Sequence, residues 1–461
     1  MSLKSVLTLR SFSHLLSAVC ALAISCAPAP DSSAAEPAVP EAWTPERAVI
    51  FGLQNSPDSR IALQRIEAAQ AAWNRAEALL TQPRIDVSAA YAQTDNPMYS
   101  FGNILNQGAF SNSIDFNDPG RTDNLNLKAE LIYRLYNGGR DQAGVKSAES
   151  HYQASQAGLK EIRHQLGFEI IQAYQNIVQA TDQLEARRAE LEAIDSSLQV
   201  ARARFEAGDL LRTEVLNFEV QKARTSENLI IAQHRKELAE KIFLNLLGLE
   251  HGPATVSPDS DNDQTIPEVQ ASRPELEKMT AMLDSARADL IRTKGVKRPT
   301  LDGFGSYQFD YGWETDGSGD SWMAGVKLNY NLWDGGQGAS DITAKEAEIR
   351  ELEEQLQKLN LAINLDIQEA RLNYDQAVER RGVTDKMVEV ARESAQLSRE
   401  RFKQGVILSS DLLDTEVRLT DTLVRQSAAR ANYRTSVANL RRALGYQQFQ
   451  PTTEALLENQ Q

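Results

Sequence analysis

The residues Arg204-Phe205-Glu206-Ala207-Gly208 recur later in the chain as Arg401-Phe402-Lys403-Gln404-Gly405, an offset of 197 positions. Three further segments recur at this offset. They are Glu214-Val215-Leu216 with Asp411-Leu412-Leu413, Leu247-Gly248 with Leu444-Gly445, and Tyr136-Asn137-Gly138-Gly139 with Trp333-Asp334-Gly335-Gly336. Solenoid units are far shorter, about 20–50 residues. The sequence therefore predicts two similar halves in one chain.

The N-terminal segment is typical of an export signal, because a positively charged start precedes the short apolar run Leu15–Ser25. One interpretation places cleavage after Ala35, so that residues 1–35 are the signal. The other reads the segment before Cys26 as a weak lipobox, so that residues 1–25 are removed and Cys26 is lipidated. The Ala/Pro/Ser-rich stretch that follows would then be a tether.

The composition excludes several classes of protein. Both cysteines, Cys20 and Cys26, lie in or beside the signal, so the mature chain offers no disulfide, cysteine metal site or thiol nucleophile. The formal net charge of −15 argues against nucleic acid as a partner. The histidines and methionines show no ligand spacing, and no nucleophile constellation or phosphate loop is evident. The sequence predicts neither an enzyme nor a bound metal or cofactor.

Four segments are predicted to be strands, and two of them alternate strictly between apolar and polar residues. Their approximate bounds are 84–94, 124–136, 300–309 and 322–333. Leu131 is expected on the apolar face, and Lys128 and Glu130 on the polar one. Strands of about 9–11 residues with these two faces are what an outer-membrane barrel requires, although a soluble sheet with one wet face is the alternative. The Gly/Asn/Ser-rich segments Thr94–Thr122 and Asp310–Ser321 are the predicted extracellular loops.

Each half continues as a long helical hairpin, predicted over residues 140–248 and 339–445. Helices of sixty-odd residues would extend about 100 Å. Thr213 and Ser410 are the predicted N-caps of the two returning helices. No run of about 18 apolar residues follows the signal, so a transmembrane helix is not expected.

These elements divide the chain into two repeats with short connections. The predicted segments are the first repeat at 36–250, a linker at 251–271, the second repeat at 272–447 and a C-terminal tail at 448–461. The fold class is mixed α and β, with four strands per chain. Four strands cannot close a barrel in lipid, whereas three copies would give about twelve strands around an open lumen.

The chain resembles the TolC-like outer-membrane efflux proteins over nearly the whole mature sequence. The resemblance rests on the duplicated Arg-Phe-x-x-Gly segments, the two aromatic-x-Gly-Gly turns and the two strands that follow prolines. It implies a homotrimer with a twelve-stranded barrel in outer-membrane lipid and a periplasmic helical tunnel. It also implies a periplasmic adaptor and an inner-membrane pump as partners. The alternative is a structural coiled-coil outer-membrane protein or adhesin without transport activity.

Candidate site residues lie at the helical turns. The resemblance implies that Asp411 and Asp414 ring the periplasmic entrance, with Glu214 at the matching position of the first half. The simpler interpretation is that acids in a first helical turn favour the helix dipole. The basic or polar gate partner that the family has near Ile407 is missing. The candidate adaptor contacts, which could equally be plain helix-ending turns, are Gly208, Asp209, Leu210, Gly405, Val406 and Ile407.

Overall fold

The computed structural model describes residues 39–257 and 265–449. From Glu41 onward the described residues belong to one unit. Both versions of the signal, the lipidation candidate Cys26 and nearly all of the predicted tail lie outside the described residues.

Eight helices are present in the described ranges, and two of them are 67 residues long. In the first half they are α1 (Pro45–Asn55), α2 (Pro57–Thr81), α3 (Pro97–Asn106), α4 (Arg140–Glu206) and α5 (Arg212–Leu246). In the second half they are α6 (Pro274–Gly295), α7 (Gln337–Lys403) and α8 (Ser409–Ala443). Pro57 begins α2 because its fixed φ suits the first helical position, where its missing N–H has no partner to lose.

One antiparallel sheet of four strands is formed in the order β1-β2-β3-β4. The strands are β1 (Arg84–Thr94), β2 (Thr122–Tyr136), β3 (Thr300–Gly312) and β4 (Gly317–Asn329). Both halves contribute a pair of strands, and the central pairing of β2 with β3 joins the halves. The mixed fold, with four strands and long helices, is confirmed.

The fourth strand lies earlier in the chain than predicted. It covers Gly317–Asn329 in place of residues 322–333. It pairs with β3 from Gly317 opposite Gly312 to Asn329 opposite Thr300, so it ends where β3 begins just after Pro299. The predicted loop Asp310–Ser321 is therefore mostly strand, with only a four-residue turn between β3 and β4.

The sheet has one apolar and one polar face, as the alternation predicts. Leu131 lies opposite Ile85 and Gly305, whereas Lys128 and Glu130 share the other face and are bonded to each other, Nζ to Oε2 at 2.9 Å. The apolar face is bare in a single copy, since large side chains such as Trp322 and Val87 on it are exposed. A face of this kind is expected to meet an apolar environment.

The helices pack as two antiparallel hairpins, α4 with α5 and α7 with α8, and α4 lies at the centre because it also contacts α2, α6 and α8. Tyr174 of α4 is fully buried, and its hydroxyl donates to the carbonyl oxygen of Ser257 at 2.5 Å. Trp43 packs edge-on against Phe51 and Phe243, which fixes the start of the described chain to α5.

The N-caps of the returning helices differ from the prediction. Helix α5 begins at Arg212 with Leu211 as its N-cap, and α8 begins at Ser409 with Leu408 as its N-cap; neither has a capping side chain. Thr213 and Ser410, the predicted caps, lie inside the helices. The Ser409 hydroxyl is instead used in a contact between the two halves, described below.

Within the described ranges, no helix is both long enough and apolar enough to cross a membrane.

Candidate functional site

The candidate residues lie at the far ends of the two helical hairpins. We call residues 198–219, which join α4 to α5, the first tip, and residues 395–416, which join α7 to α8, the second tip. In each tip the long helix ends at a glycine with positive φ, 83° at Gly208 and 76° at Gly405. Glycine adopts this left-handed conformation without steric cost, so it allows the sharp turn.

An apolar cluster holds the two tips together within one chain. Phe402 is only 1% exposed, and its ring lies 5.5 Å from that of Phe218. The buried members are Leu198, Ala201, Val215, Phe218, Phe402 and Leu412. This cluster is not among the predicted site residues; its signal in the sequence is the phenylalanine of the repeated Arg-Phe motif.

Arg204 adds a polar clamp to the cluster. Its Nη1 donates to the carbonyl oxygen of Phe402 at 3.0 Å, and its guanidinium carbon lies 5.5 Å from the centre of the Phe402 ring. A cation–π contact of this kind contributes about 0.5–1 kcal/mol at an exposed site. The arginine of the first Arg-Phe motif thus binds the phenylalanine of the second.

A second arginine contact recurs in both hairpins at the offset of 197. Arg202 binds Glu219 at 2.7 Å in the first, and Arg399 binds Glu416 through two contacts of 2.5 and 2.6 Å in the second. The Glu416 side chain is only 2% exposed, and its hydrogen bond raises the pKa of Arg399 above the ordinary value. Each ion pair joins the long helix to its returning helix near the tip.

The acidic candidates lie in exposed positions in one copy. Asp411 and Asp414 are exposed in the first turns of α8, and Asp414 accepts from Arg418 at 2.6 Å. Glu214 accepts a hydrogen bond from the Ser409 hydroxyl, which links the first tip to the second. A single copy therefore presents two outward carboxylates and uses the third in an internal contact.

The six predicted adaptor contacts are not equivalent. Leu210 and Ile407 pack against the apolar cluster, so they also hold the tips together. The other four are exposed, namely Gly208, Asp209, Gly405 and Val406. Across the described ranges, no group of three or more histidine, cysteine, aspartate or glutamate side chains is arranged to hold a metal ion.

Known proteins are similar to this chain over most of its length. The model of the family "Outer membrane efflux protein" matches residues 52–249 and 265–446. The chain is 24% identical over 424 residues to the outer membrane protein TolC of Vibrio cholerae serotype O1, covering 87% of this chain and 91% of that one. It is 23% identical over 417 residues to the alkaline protease secretion protein AprF of Pseudomonas aeruginosa, covering 85% and 82%.

Solved structures show the same fold. The outer-membrane channel OprN superposes with a TM-score of 0.72 at 19% identity, covering 88% of this chain and 91% of that one. CusC superposes with a TM-score of 0.74 at 14% identity, covering 90% and 96%. The family match spans most of the sequence and both repeats, and the four-stranded sheet with two long hairpins agrees with it. The chain therefore belongs to the outer membrane efflux protein family.

Proposed function

We propose that three copies of this outer-membrane efflux protein close one exit duct, a twelve-stranded barrel in the outer membrane joined to a helical tunnel in the periplasm. The observation that carries the proposal is the sheet of the described chain, which ends in two free edges, β1 and β4. Free edges do not occur in hydrocarbon, because each unpaired backbone group costs several kcal/mol there. Pairing β4 of each copy with β1 of the next removes every edge.

The exposed apolar residues of α7 support this assembly. Six of them form a stripe on the face opposite the one that packs inside the chain: Leu361, Leu365, Leu372, Val383, Val390 and Leu397. They are 51% to 70% exposed. The matched positions of α4 are all buried or half-buried within the chain: His164, Phe168, Gln175, Ala186, Ala193 and Val200. One face is thus covered in the first half and bare in the second.

Helix α5 shows the complementary pattern. Its exposed apolar residues are Leu216, Val220, Ile230, Ile231, Leu238 and Ile242. The matched residues of α8 are all buried or half-buried: Leu413, Val417, Ser427, Ala428, Thr435 and Asn439. Inside the chain α4 packs against α8. The same contact between copies would join α7 to α5 of the next copy, and it would cover both bare stripes.

The tips are the proposed periplasmic entrance. At the offset of 197, Asp411 matches Glu214 and Arg212 matches Ser409. The Glu214–Ser409 contact within one chain therefore predicts a contact between Asp411 and Arg212 of the partner subunit. Arg212 is exposed in a single copy. It would take the place of the basic partner that the sequence lacks near Ile407. Three such pairs would hold the closed entrance, with Asp414 adding negative charge beside it.

The proposed partners follow from the exposed part of the tips. A periplasmic adaptor would contact Gly208, Asp209, Gly405 and Val406, and an inner-membrane pump would drive the substrate through the adaptor into the duct. The relatives support this arrangement, since they include TolC and a protease secretion protein. The chain itself would act as a passive conduit and not as an enzyme.

Planar-bilayer conductance tests the proposed duct. The purified protein, checked for helix content by circular dichroism, should give discrete, equal conductance steps in both directions when Arg212→Ala removes the closing pairs and a short Gly-Ser turn replaces residues 96–120 at the other mouth. Cross-linking in cells should recover the adaptor on variants with a photo-reactive residue at Val406, and not at Val269, which is exposed and lies beside Tyr446 at the other end of α8. If this variant is folded and still gives no conductance steps, the duct is contradicted.

A further inference from the structure

Helix α3, between β1 and β2, lies on the polar face of the sheet. A Cβ atom added at Gly319 would clash with the carbonyl oxygen of Asn106, and one at Gly317 would lie 2.7 Å from that of Gln107. Gly319 is paired with Asp310 and so shares its face, where the Asp310 carboxylate accepts from two asparagine side chains of β2. The C-terminal end of α3 therefore rests on this polar face, at the end of the sheet away from the helices.

Both ends of α3 are anchored to the sheet. Near the N-terminal end, the Ser100 hydroxyl donates to the carbonyl oxygen of Thr94 at 3.0 Å. After the C-terminal end, Gln107 is fully buried; its Nε2 donates to the carbonyl oxygen of Asp123 at 2.7 Å, and its Oε1 accepts from Thr315 at 2.5 Å. The helix thus crosses the polar face from the β1–β2 pair to the β3–β4 turn.

The side of α3 that faces away from the sheet is apolar. Met98, Tyr99 and Leu105 are 51% to 69% exposed, and Phe116 of the following loop packs against Phe101 with ring centres 4.6 Å apart and ring planes tilted by 55°. The second half has only a four-residue turn at this place. In the proposed barrel the polar face lines the lumen, so this apolar surface would point into the water-filled mouth. Apolar side chains in such a position favour a partner.

The size of the barrel indicates the partner. Twelve strands about 4.8 Å apart, tilted by about 40°, enclose a barrel about 24 Å across. Each copy places its α3 on the inner wall of the barrel, and a helix with its side chains is about 10 Å in diameter. Three such helices leave no wide passage at the axis.

We propose that the α3 helices of the three copies meet at the threefold axis and close the extracellular mouth with an apolar plug. The partner of each exposed face is the same helix of the other two copies. The proposal rests on the trimeric barrel proposed above. It gives the duct a second closure, at the end opposite the tips.

Labelling from outside the cell tests the plug separately from the tips. Ser88 shares the polar face, opposite Lys128, and lies deeper in the barrel than α3. We expect Ser88→Cys to react slowly with a polyethylene-glycol maleimide added outside. The reaction should become many-fold faster when residues 96–120 are replaced by a short Gly-Ser turn. It should also become faster in Leu105→Asp, because three carboxylates at the axis repel each other.

Matched positions provide the controls. Asp316→Cys, in the exposed β3–β4 turn, should react fast in every background, and Ala89→Cys, on the lipid face, should not react in any. The chain without an introduced cysteine gives the background rate. Fast labelling of Ser88→Cys with α3 intact would overturn the plug, and so would an unchanged slow rate in both α3 variants of a trimer. A native mass spectrum that shows only monomer would overturn the trimeric duct as well.

Discussion

The two hairpin tips carry the same Arg-Phe motif, but the first tip uses its arginine in a contact and the second tip uses its phenylalanine. In the first tip Arg204 binds Phe402, while Phe205 remains 40% exposed. In the second tip Phe402 is buried, while Arg401 is exposed. Arg401 and Phe205 thus do not make, within one chain, the contact that Arg204 makes with Phe402. This is the pattern expected when a contact made once inside a chain is made again between copies.

The glycines of the motif show the same difference. A Cβ atom at Gly405 would lie 2.9 Å from Nη2 of Arg204, so that glycine leaves room for the arginine. Around Gly208 the described chain places no atom within 4 Å of such a Cβ. The space beside Gly208 is the proposed place for Arg401 of the partner subunit. Arg204 therefore fills the space beside Gly405 in the second tip, whereas no residue of the same chain fills the matching space beside Gly208 in the first tip.

The largest expected effect concerns the bare stripe of α7. Leu372→Asp should prevent assembly of the trimer, because burying an unpaired charge costs several kcal/mol in each copy. Asn373→Asp, on the flank of the same helix turn, should assemble normally. Size-exclusion chromatography with light scattering measures the mass in detergent. A normal trimer of Leu372→Asp would show that this stripe faces solvent, and the comparison of the halves would fail.

The lipid face gives the next largest effect, and it can be tested in both halves. Leu131→Arg should destabilise the inserted barrel by about 2–4 kcal/mol near the bilayer midplane, and Leu328→Arg, its match at the offset of 197, should do the same. Glu130→Arg, on the polar face, should insert normally. Folding into lipid vesicles, followed by gel mobility, measures insertion. Equal insertion of Leu131→Arg and Glu130→Arg would mean that the two faces are assigned the wrong way round.

The two arginines of the motif should differ in a smaller way. Arg204→Ala removes a contact within the chain, whereas Arg401→Ala should weaken only the assembly, by about 0.5–2 kcal/mol per contact. Analytical ultracentrifugation at increasing denaturant concentrations measures the dissociation of the trimer into monomers, and it distinguishes the two variants. The side chain of Lys403, also exposed and near the turn, provides the control, since Lys403→Ala should change neither measurement. An Arg401→Ala trimer as stable as the wild type would leave the second motif without its proposed partner.

Loss of the acidic pair should change the passage of ions, while the stripes of α5 and α7 still hold the trimer together. The variant with Asp411→Ala and Asp414→Ala should lose part of its cation selectivity and its block by multivalent cations, because carboxylates at a constriction focus negative potential on the ion path. Planar-bilayer reversal potentials in a salt gradient measure the selectivity. Glu400→Ala, an exposed acid close to the second tip, is the control. Unchanged selectivity and block would leave the two aspartates as ordinary helix-start acids.

Much of the fold could be predicted because the relevant signals are local and repeated. Alternation placed Leu131 and Glu130 on opposite faces, and the long helices follow from extended segments without proline. Helix α3 was missed, although Asn96 and Pro97 are an N-cap and a first helical residue; the side chain of Asn96 accepts from the backbone N–H of Met98. The Gly/Asn/Ser-rich composition of the segment indicated a loop, and these two residues alone were too short a signal for a helix.

The candidate site was less predictable because its contacts join distant residues. Phe218 and Phe402 meet only when the two tips lie side by side, and the repeated motif that contains Phe402 does not indicate which residue it contacts. The end of β4 depends on its pairing with β3 and not on its own alternation, which continues through Tyr330 and Leu332. The acidic pair stays a prediction from the sequence, and Arg212 joins it only through the Glu214–Ser409 contact, which the sequence does not indicate.

Contacts between copies are expected to repeat the contacts between the two halves of one chain. Native mass spectrometry of the wild-type protein, released from a mild detergent, tests it most directly. We expect one dominant species with the mass of three chains, because three copies close the barrel and cover the stripes of α5 and α7. A stable monomer that retains its helix content in the same detergent would contradict it.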